Sequence, residues 1–398
     1  MALDIERVRG DTPGCSERIH FNNAGASLPP KQVVETVIRH LRLESQIGGY
    51  EAADAEADRI RDVYASTARL LNCDPDEVAL LENATRAWDA VFYAVPLQAG
   101  DMIVTGRSEY CSNYMALLDR ARKTGAEVVV VDDDESGQID LAELSSVIDR
   151  GAKLVSLTHV PTSGGLVNPA AAVGAIARRG GALFLLDACQ SVGQMPIDVK
   201  AIGCDFLATT GRKFLRGPRG TGLLFVSRRS ISQLEPAMVE VGGARWSETN
   251  AFSLHADAKR FETWEASYAL QLGLGRAIDY ALETGLVSIW ERVQTLAEAL
   301  RANLGRVPGL TVHDIGAIKC AIVTFTVDGL DSHHLCTLLR SRSINVDVST
   351  AEDSRLDFEA RGLRPMIRAS IHYFNTIHEI EQFVEEVQAL TKTAHAVR

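Results

Sequence analysis

The chain has 398 residues, which is enough for two or three domains and a large apolar core. Its composition is 46% apolar and 23% charged, as in an ordinary globular protein, and no apolar run is long enough to predict a membrane span. The net charge of −11 and the lack of a basic tract argue against nucleic-acid binding. These features favour a small-molecule partner.

The seven cysteines are scattered, without a CxxC pair or a Cys/His cluster at metal spacing. We therefore expect reduced thiols and no bound metal. The opening segment MALDIERVRGDTPGC carries charges where a signal peptide needs an apolar stretch, so we expect a cytoplasmic protein.

Helix and strand patterns alternate from about residue 31 to 255. Helical segments such as KQVVETVIRHLRLE separate seven short apolar runs, which are VALLE, DMIVTG, EVVVVD, LVSLTHV, ALFLLDA, FLATTG and TGLLFVS. Several runs are continuous, as in strands covered by helices on both faces, so they predict a mostly parallel, seven-stranded sheet. The last two runs are too close for a crossover helix, which predicts one antiparallel strand.

After about residue 256 a long helical stretch is followed by shorter strand and helix patterns, which is typical of an α+β unit. The sequence thus predicts an α/β protein, with a large domain over residues 31–255 and a smaller α+β domain from residues 1–30 and 256–398. The final helix has an apolar face for packing, formed by Ile380, Phe383, Val384, Val387 and Leu390.

One lysine lies in the Gly-rich loop GRKFLRGPRGTG between two of the predicted strands. Partial burial beside Arg212 would disfavour the ammonium form of Lys213 and make its amine available to form an imine. The alternative is a solvated loop lysine, and the loop alone does not separate the two.

The run ALFLLDACQ ends in Asp187, and Gln190 follows one short turn later. Ligands of open α/β sheets bind beyond the carboxyl ends of the strands, where a carboxylate can pair with a protonated ring nitrogen. The alternative is a strand-end Asp that caps the next helix.

The run VALLE is followed at once by Asn83, Ala84, Thr85 and Arg86, which open a helix. Free N–H groups and the helix dipole predict a phosphate site there, and the Thr85 hydroxyl can add a bond. Many helices begin this way with nothing bound. The three elements together are much rarer than any one of them.

With these elements in place, the chain resembles the fold-type I enzymes that depend on pyridoxal phosphate, and more narrowly the class V aminotransferase and cysteine desulfurase-like family. The resemblance extends from FNNAGASLPP to RASIHYFNT. It implies that pyridoxal 5′-phosphate forms a Schiff base with Lys213, that Asp187 pairs with its ring nitrogen and that Gln190 contacts its phenolate oxygen. It also implies a phosphate site formed by Thr210 and the amides of Ala84, Thr85 and Arg86.

The same resemblance implies further contacts around the cofactor. Tyr110 in SEYCSNY would stack on the pyridine face, although a strand-end tyrosine can also be a packing residue. Thr162 in THVPTSGG would lie in the loop beneath the cofactor, where His159 is as readily structural as catalytic. Gly220 and Thr221 in GPRGTG would cross a dimer interface to the partner's phosphate, so the resemblance implies a homodimer with shared sites.

On the substrate side, Arg368 in MIRASIHYF matches the family arginine that binds the α-carboxylate, a task suited to a planar bidentate donor. Pairing with an aspartate is its alternative. The resemblance implies that the backbone of Asn23, Ala24 and Gly25 approaches the same carboxylate.

Three departures from the family pattern bear on function. Family desulfurases carry a nucleophilic cysteine shortly before this arginine, but INVDVSTAEDSRLDFEARGLRPMIR contains none, so we expect no persulfide. Arg212 replaces the usual histidine before the lysine, and Trp264 replaces the glycine of the RFExG segment. The replacements at Arg212 and Trp264 suggest a pocket reshaped for a larger or more polar substrate. Arg212 is a candidate substrate contact. Cys111 and Cys189 are expected to be packing residues.

The resemblance therefore favours a C–S lyase that eliminates a sulfur fragment from an S-substituted L-cysteine or its sulfoxide, giving pyruvate and ammonia. Relatives without the desulfurase cysteine include lyases similar to that of the ergothioneine pathway and those of sulfur-containing antibiotic pathways. A transaminase, a decarboxylation-linked deaminase and an epimerase of the isopenicillin N type remain open alternatives. A cofactor-binding protein without turnover is a fourth.

Overall fold

The structure is a computed structural model that describes residues 3–396. Its strands are β1 (Ile19–His20), β2 (Val78–Leu81), β3 (Met102–Gly106), β4 (Glu127–Val131), β5 (Leu154–Thr158), β6 (Leu183–Asp187), β7 (Phe206–Thr210), β8 (Gly222–Val226), β9 (Ala244–Glu248), β10 (Ala251–Leu254), β11 (Leu310–Val312), β12 (Ile322–Val327), β13 (Ile344–Asn345), β14 (Asp347–Ser349) and β15 (Met366–Ser370).

Helices connect most of these strands. They are α1 (Ile5–Gly10), α2 (Lys31–Ile47), α3 (Gly49–Ala55), α4 (Ala57–Leu71), α5 (Ala84–Phe92), α6 (Cys111–Thr124), α7 (Leu141–Asp149), α8 (Ala170–Arg179), α9 (Val199–Ile202), α10 (Arg228–Ile231), α11 (Tyr268–Thr284), α12 (Leu286–Leu304), α13 (Ser332–Ser341), α14 (Arg355–Arg361) and α15 (Ile377–Ala396). Within the described range, no helix is both long and apolar enough to cross a bilayer.

The largest sheet has seven strands in the order β2-β8-β7-β6-β5-β3-β4. Strand β8 pairs antiparallel with both β2 and β7, and the other pairs are parallel. The predicted seven-stranded, mostly parallel sheet with one antiparallel strand is therefore confirmed.

Apolar side chains cover both faces of this sheet, which explains the continuous apolar runs. Alternate residues of a strand point to opposite faces. On β6, Phe184 and Leu186 belong to the core packed by α4, α7, α8 and α11, whereas Leu185 belongs to the core packed by α5 and α6. Burial on both faces leaves the strand ends as the place where polar side chains can meet.

A second, antiparallel sheet has the order β11-β12-β15-β14. Its core includes residues of α12, α13 and α15, and the predicted apolar face of α15 is confirmed because Ile380, Phe383, Val387 and Leu390 are buried. Strand β1 pairs with β13, which joins the N-terminal segment to this region.

Two features were not predicted from the sequence. Strands β9 and β10 form an antiparallel hairpin whose residues are mostly exposed, so it lacks the apolar run of a core strand. Helix α11 packs against α2 and α4 and contributes Leu274 and Ile278 to the core of the large sheet. The domain boundaries themselves stay a prediction.

Candidate active site

A pocket of about 280 Å³ lies where the carboxyl ends of several strands of the large sheet meet. It brings together nine of the residues predicted from sequence, which are Ala84, Thr85, Tyr110, Thr162, Asp187, Gln190, Thr210, Arg212 and Lys213. Other lining residues include Glu82, Thr158, Cys189 and Arg219. The pocket thus combines an amine, a carboxylate, hydroxyls and guanidinium groups in one small space.

Lys213 is held in the turn between β7 and β8. The N–H of Arg216 donates to the Lys213 carbonyl at 2.9 Å, and Arg216 has a left-handed backbone with φ of 63°. The Arg216 side chain is fully buried and donates to the Leu28 carbonyl, the Tyr373 hydroxyl and the Thr12 hydroxyl. Burial lowers the pKa of Lys213, which favours the neutral amine that attacks a carbonyl.

Asp187 is the last residue of β6, and it is 7% exposed. Its Oδ1 accepts the N–H of Cys189 at 2.9 Å, and its Oδ2 accepts Nδ2 of Asn113 at 2.9 Å. These two donors hold the carboxylate in one orientation. Asp187 is therefore a carboxylate of fixed orientation at one end of the pocket.

The other end of the pocket is formed by the N-terminus of α5. Asn83 caps this helix through its side chain, and the N–H groups of Ala84 and Thr85 have no partner inside the helix because they belong to its first turn. Gly222 of β8 is required here, since a Cβ would lie 2.4 Å from the Asn83 carbonyl carbon. The Thr210 hydroxyl lies at the same end and accepts Nη1 of Arg212 at 3.2 Å.

One of the predicted phosphate contacts, the Arg86 amide, has another partner. The Arg86 N–H is bonded to Asn83 Oδ1 at 2.9 Å, and the Arg86 side chain lines a neighbouring cavity. This differs from the prediction, because the helix cap already uses the third N–H. Thr221 does not line the pocket, and its hydroxyl donates to the Pro218 carbonyl.

Gln190 and Thr162 form the wall near the substrate side. The Gln190 amide nitrogen donates to the Ala24 carbonyl at 3.2 Å and to the Thr162 hydroxyl at 3.1 Å, while its buried oxygen has no partner among the described residues. For this nitrogen to contact the phenolate oxygen of the cofactor, one of these two hydrogen bonds must therefore be broken. Ala24 reaches the site only through Gln190.

Asn23 and Gly25 do not line the pocket. The Asn23 side chain is fully buried and donates to the Ser370 carbonyl at 2.7 Å. A Cβ on Gly25 would lie 2.6 Å from Asn22 Oδ1, so this glycine serves a tight turn. Their predicted approach to a carboxylate stays a prediction.

Arg368 reaches the site behind Thr162. Its Nη1 donates to the Thr162 hydroxyl at 2.7 Å, and its Nη2 donates to Asp347 Oδ2 at 3.1 Å. Its buried Nε has no partner among the described residues. Both readings of Arg368 from the sequence thus remain: it pairs with an aspartate, and it keeps an unsatisfied donor for a ligand.

Tyr110 lines the pocket directly before α6, whereas Trp264 is 58% exposed and lies outside it. The buried His159 has a pKa lowered to about 4 by burial, so its ring is neutral at ordinary pH. Sequence reasoning missed Glu109 and Asn113, which lie behind Asp187. Their spacing of four residues at a helix start was the available signal.

The residues of this pocket fit pyridoxal phosphate. The buried Lys213 amine suits the aldehyde, the Asp187 carboxylate suits the protonated ring nitrogen, and the free N–H groups of the first turn of α5 suit the phosphate. Thr210 and Arg212 add a hydroxyl and a positive charge at the phosphate end. Apart from Asp187, Glu82 is the acidic residue among those that line the pocket.

Comparison with known proteins agrees with this geometry. The model of the aminotransferase class-V family matches residues 19–383, and the chain belongs to that family. It is a pyridoxal-phosphate-dependent enzyme, as members of that family are.

The relatives include a "Probable cysteine desulfurase" of Xylella fastidiosa, 31% identical over 409 residues, with 98% of this chain and 96% of the relative covered. Another protein of that name, from Methanothermobacter thermautotrophicus, is 28% identical with 98% of both chains covered. Among solved structures, a cysteine desulfurase of Thermococcus onnurineus has a TM-score of 0.92 at 27% identity and covers 99% of both chains. The cystine C–S lyase C-DES has a TM-score of 0.86 at 22% identity, over 95% of this chain and 99% of that one, and shows the shared fold.

Proposed function

We propose that this protein is a C–S lyase that removes the sulfur substituent of an S-substituted L-cysteine, or of its sulfoxide, by β-elimination. With water, the substrate gives pyruvate, ammonia and a thiol, or a sulfenic acid from the sulfoxide. Its relatives are named cysteine desulfurases, which supports a cysteine-type substrate.

The observation that carries this proposal is that the segment leading to Arg368 contains no cysteine. The segment from Ser349 to Ser354 packs beside the pocket, where the Asp353 carbonyl accepts the Cys111 N–H, and it contains no cysteine. Cys189 does line the pocket, but burial raises its pKa well above the ordinary value, so its thiol is not a nucleophile. The sulfur fragment would therefore leave to solvent instead of forming a protein persulfide.

The remaining roles in the elimination are assigned to residues of this chain. When bound, the cofactor withdraws electrons from the bonds at the substrate Cα. We assign Lys213 as the general base that takes the Cα proton, and Asp187 as the group that keeps a proton on the ring nitrogen. Arg368 would bind the α-carboxylate through its free Nε edge, and Tyr110 would cover one face of the ring.

Arg212 is assigned to the cofactor side of the pocket, in place of the substrate contact expected from the sequence. Its Nη1 donates to the Thr210 hydroxyl at the phosphate end, whereas the substrate would approach from the side of Arg368. A guanidinium group is well suited to bind a phosphate. The substrate specificity would then depend on the walls near Thr162 and Tyr110.

The test is to mix the purified protein, loaded with pyridoxal phosphate, with a panel of S-substituted L-cysteines and their sulfoxides. We expect pyruvate and the sulfur fragment in equal amounts, with Lys213→Ala as the inactive control. Spectral changes of the cofactor without pyruvate would contradict elimination and favour transamination, decarboxylation or epimerisation. A persulfide on the protein would contradict the leaving-group assignment.

We also propose a homodimer. On the β9–β10 hairpin Trp246 and Phe252 lie directly opposite each other and are 74% and 54% exposed, which is unusual for large apolar side chains. The predicted contact of Thr221 with a partner's phosphate also requires a dimer, because Thr221 does not line the pocket of its own chain. Sedimentation equilibrium should give the dimer mass for the wild type, and a monomer at all concentrations would contradict the proposal.

A further inference from the structure

A second carboxylate lies directly behind the pocket and is not explained by the roles assigned so far. Glu109 is 3% exposed and does not line the pocket. Five groups donate to it, and they are the Tyr110 N–H at 2.8 Å, Asn113 Nδ2 at 3.0 Å, the Thr105 hydroxyl at 2.8 Å, the Ser156 hydroxyl at 3.1 Å and the Thr158 hydroxyl.

The surroundings of Glu109 suit a negative charge. The Tyr110 N–H and Asn113 Nδ2 both donate to Oε1, so this oxygen accepts two N–H groups. Glu109 also lies at the N-terminus of α6, where the helix dipole stabilises an anion. Burial raises the pKa of Glu109, and the nearby Asp187 carboxylate raises it further, while the hydrogen bonds from Thr158, Asn113 and the Tyr110 N–H oppose that rise.

Glu109 is connected to the pocket by two short paths. Asn113 Nδ2 donates to Asp187 Oδ2 as well as to Glu109 Oε1, so these oxygens are at most about 6 Å apart. Glu109 also bonds the main chain of Tyr110, whose side chain lines the pocket. Glu109 therefore contacts Asn113, which holds the Asp187 carboxylate, and it also contacts the main chain that carries the Tyr110 ring.

We propose that Glu109 is a positioning residue for the cofactor ring, which fixes Asp187 through Asn113 and adds a second negative charge behind it. The inference rests on the proposed role of Asp187. A second buried anion would stabilise positive charge on the bound cofactor, because Coulomb interactions are weakly screened in the interior. It would thereby strengthen the electron withdrawal on which the elimination depends.

Three variants separate the charge of Glu109 from its support of Asp187. Glu109→Gln keeps the size of the side chain and removes its charge, and Glu109→Asp restores the charge. Asn113→Leu keeps the volume but removes the bridge to Asp187. Glu379→Gln is the matched control, since Glu379 is also buried and hydrogen bonded, by Arg9 and Asn375, but outside the pocket.

The measurement is a pH titration of the visible absorbance of each protein loaded with pyridoxal phosphate, without substrate. Other titratable groups near Glu109 and Asp187 are Tyr110, Cys189 and Lys213, which all variants retain. Removing a negative charge disfavours the protonated cofactor, so we expect Glu109→Gln to lower the midpoint by about half a pH unit or more. Glu109→Asp should stay closer to the wild type, and Glu379→Gln should not differ from it.

The affinity for pyridoxal phosphate gives an independent readout. Asn113→Leu should weaken it about tenfold, because Asp187 loses one of its two donors. If Glu109→Gln does not fold, an unchanged affinity in Asn113→Leu would overturn the inference.

A parallel titration of Asp187→Asn separates this inference from the proposed function. A shifted midpoint in Asp187→Asn with none in Glu109→Gln would overturn the role of Glu109 alone. An unshifted midpoint in both would overturn the role of Asp187 and the inference with it.

Discussion

On one side of the pocket, Asp187 and Lys213 extend directly from the large sheet, one at the end of β6 and the other in the turn after β7. On the other side, Arg368 approaches from β15 of the second sheet and reaches the pocket only through Thr162. The first side depends on strand ends and main-chain geometry. The second depends on side chains from distant segments, so we infer that the cofactor side fixes the class of chemistry and the substrate side determines specificity.

The largest expected effect is on the cofactor side. Lys213→Ala should abolish the covalent cofactor absorbance and lower turnover by about 10⁴-fold, because both the imine and the general base are lost. Lys200→Ala, at an exposed lysine of α9, is the control and should be indistinguishable from the wild type. Retention of both absorbance and turnover in Lys213→Ala would break the assignment.

Asp187→Ala should act on catalysis more than on cofactor capture. Turnover should fall roughly a hundredfold or more, because ring protonation matters most when negative charge develops at Cα. Visible absorbance on loading with pyridoxal phosphate, measured with steady-state rates, checks this division. Full turnover in the variant would show that the electron sink does not depend on Asp187.

The substrate side should respond differently. Arg368→Lys should raise KM by about tenfold to a hundredfold, since an ammonium cannot replace a planar bidentate donor. The absorbance of the substrate-free protein should stay unchanged. An unaltered KM would mean that Arg368 serves only its pairing with Asp347 and Thr162.

The Arg216 side chain connects the Lys213 turn to the N-terminal segment and to Tyr373 by hydrogen bonds. Its substitution tests how much these hydrogen bonds stabilise the cofactor side of the pocket. Arg216→Met should lower the free energy of unfolding by about 2 kcal/mol, because it leaves the partly buried Leu28 carbonyl and the buried Thr12 hydroxyl without their donor. Urea unfolding measures this loss. A stability equal to that of the wild type would indicate that these contacts are dispensable.

The smallest effect is expected at Cys189. Cys189→Ala should leave turnover within about twofold of the wild type, because its raised pKa keeps the thiol protonated. Rates with S-substituted cysteines provide the check. A loss comparable to that of Lys213→Ala would make Cys189 a nucleophile and contradict the proposed lyase reaction.

The same contrast explains what the sequence could predict. The seven apolar runs and the strand-end positions of Asp187, Thr210 and Lys213 are local patterns, and the large sheet forms as they indicate. The bond of the Arg86 N–H could not be predicted, because it depends on an Asn83 cap that only the folded chain reveals.

Glu109 was missed for a similar reason. Two of its five donors, the Ser156 and Thr158 hydroxyls, lie 47 and 49 residues further along the chain, so its buried environment is complete only once β5 has joined the sheet. The exposed β9–β10 hairpin was missed because its residues show no apolar alternation.

The most direct test of the account is to load the protein with pyridoxal phosphate, reduce it with borohydride and map the modified peptide by mass spectrometry. The account predicts that the pyridoxyl group is on Lys213 in the peptide between Arg212 and Arg216, and on no other lysine. Attachment to a different lysine, or no attachment while turnover persists, would contradict the central claim that this pocket is the active site.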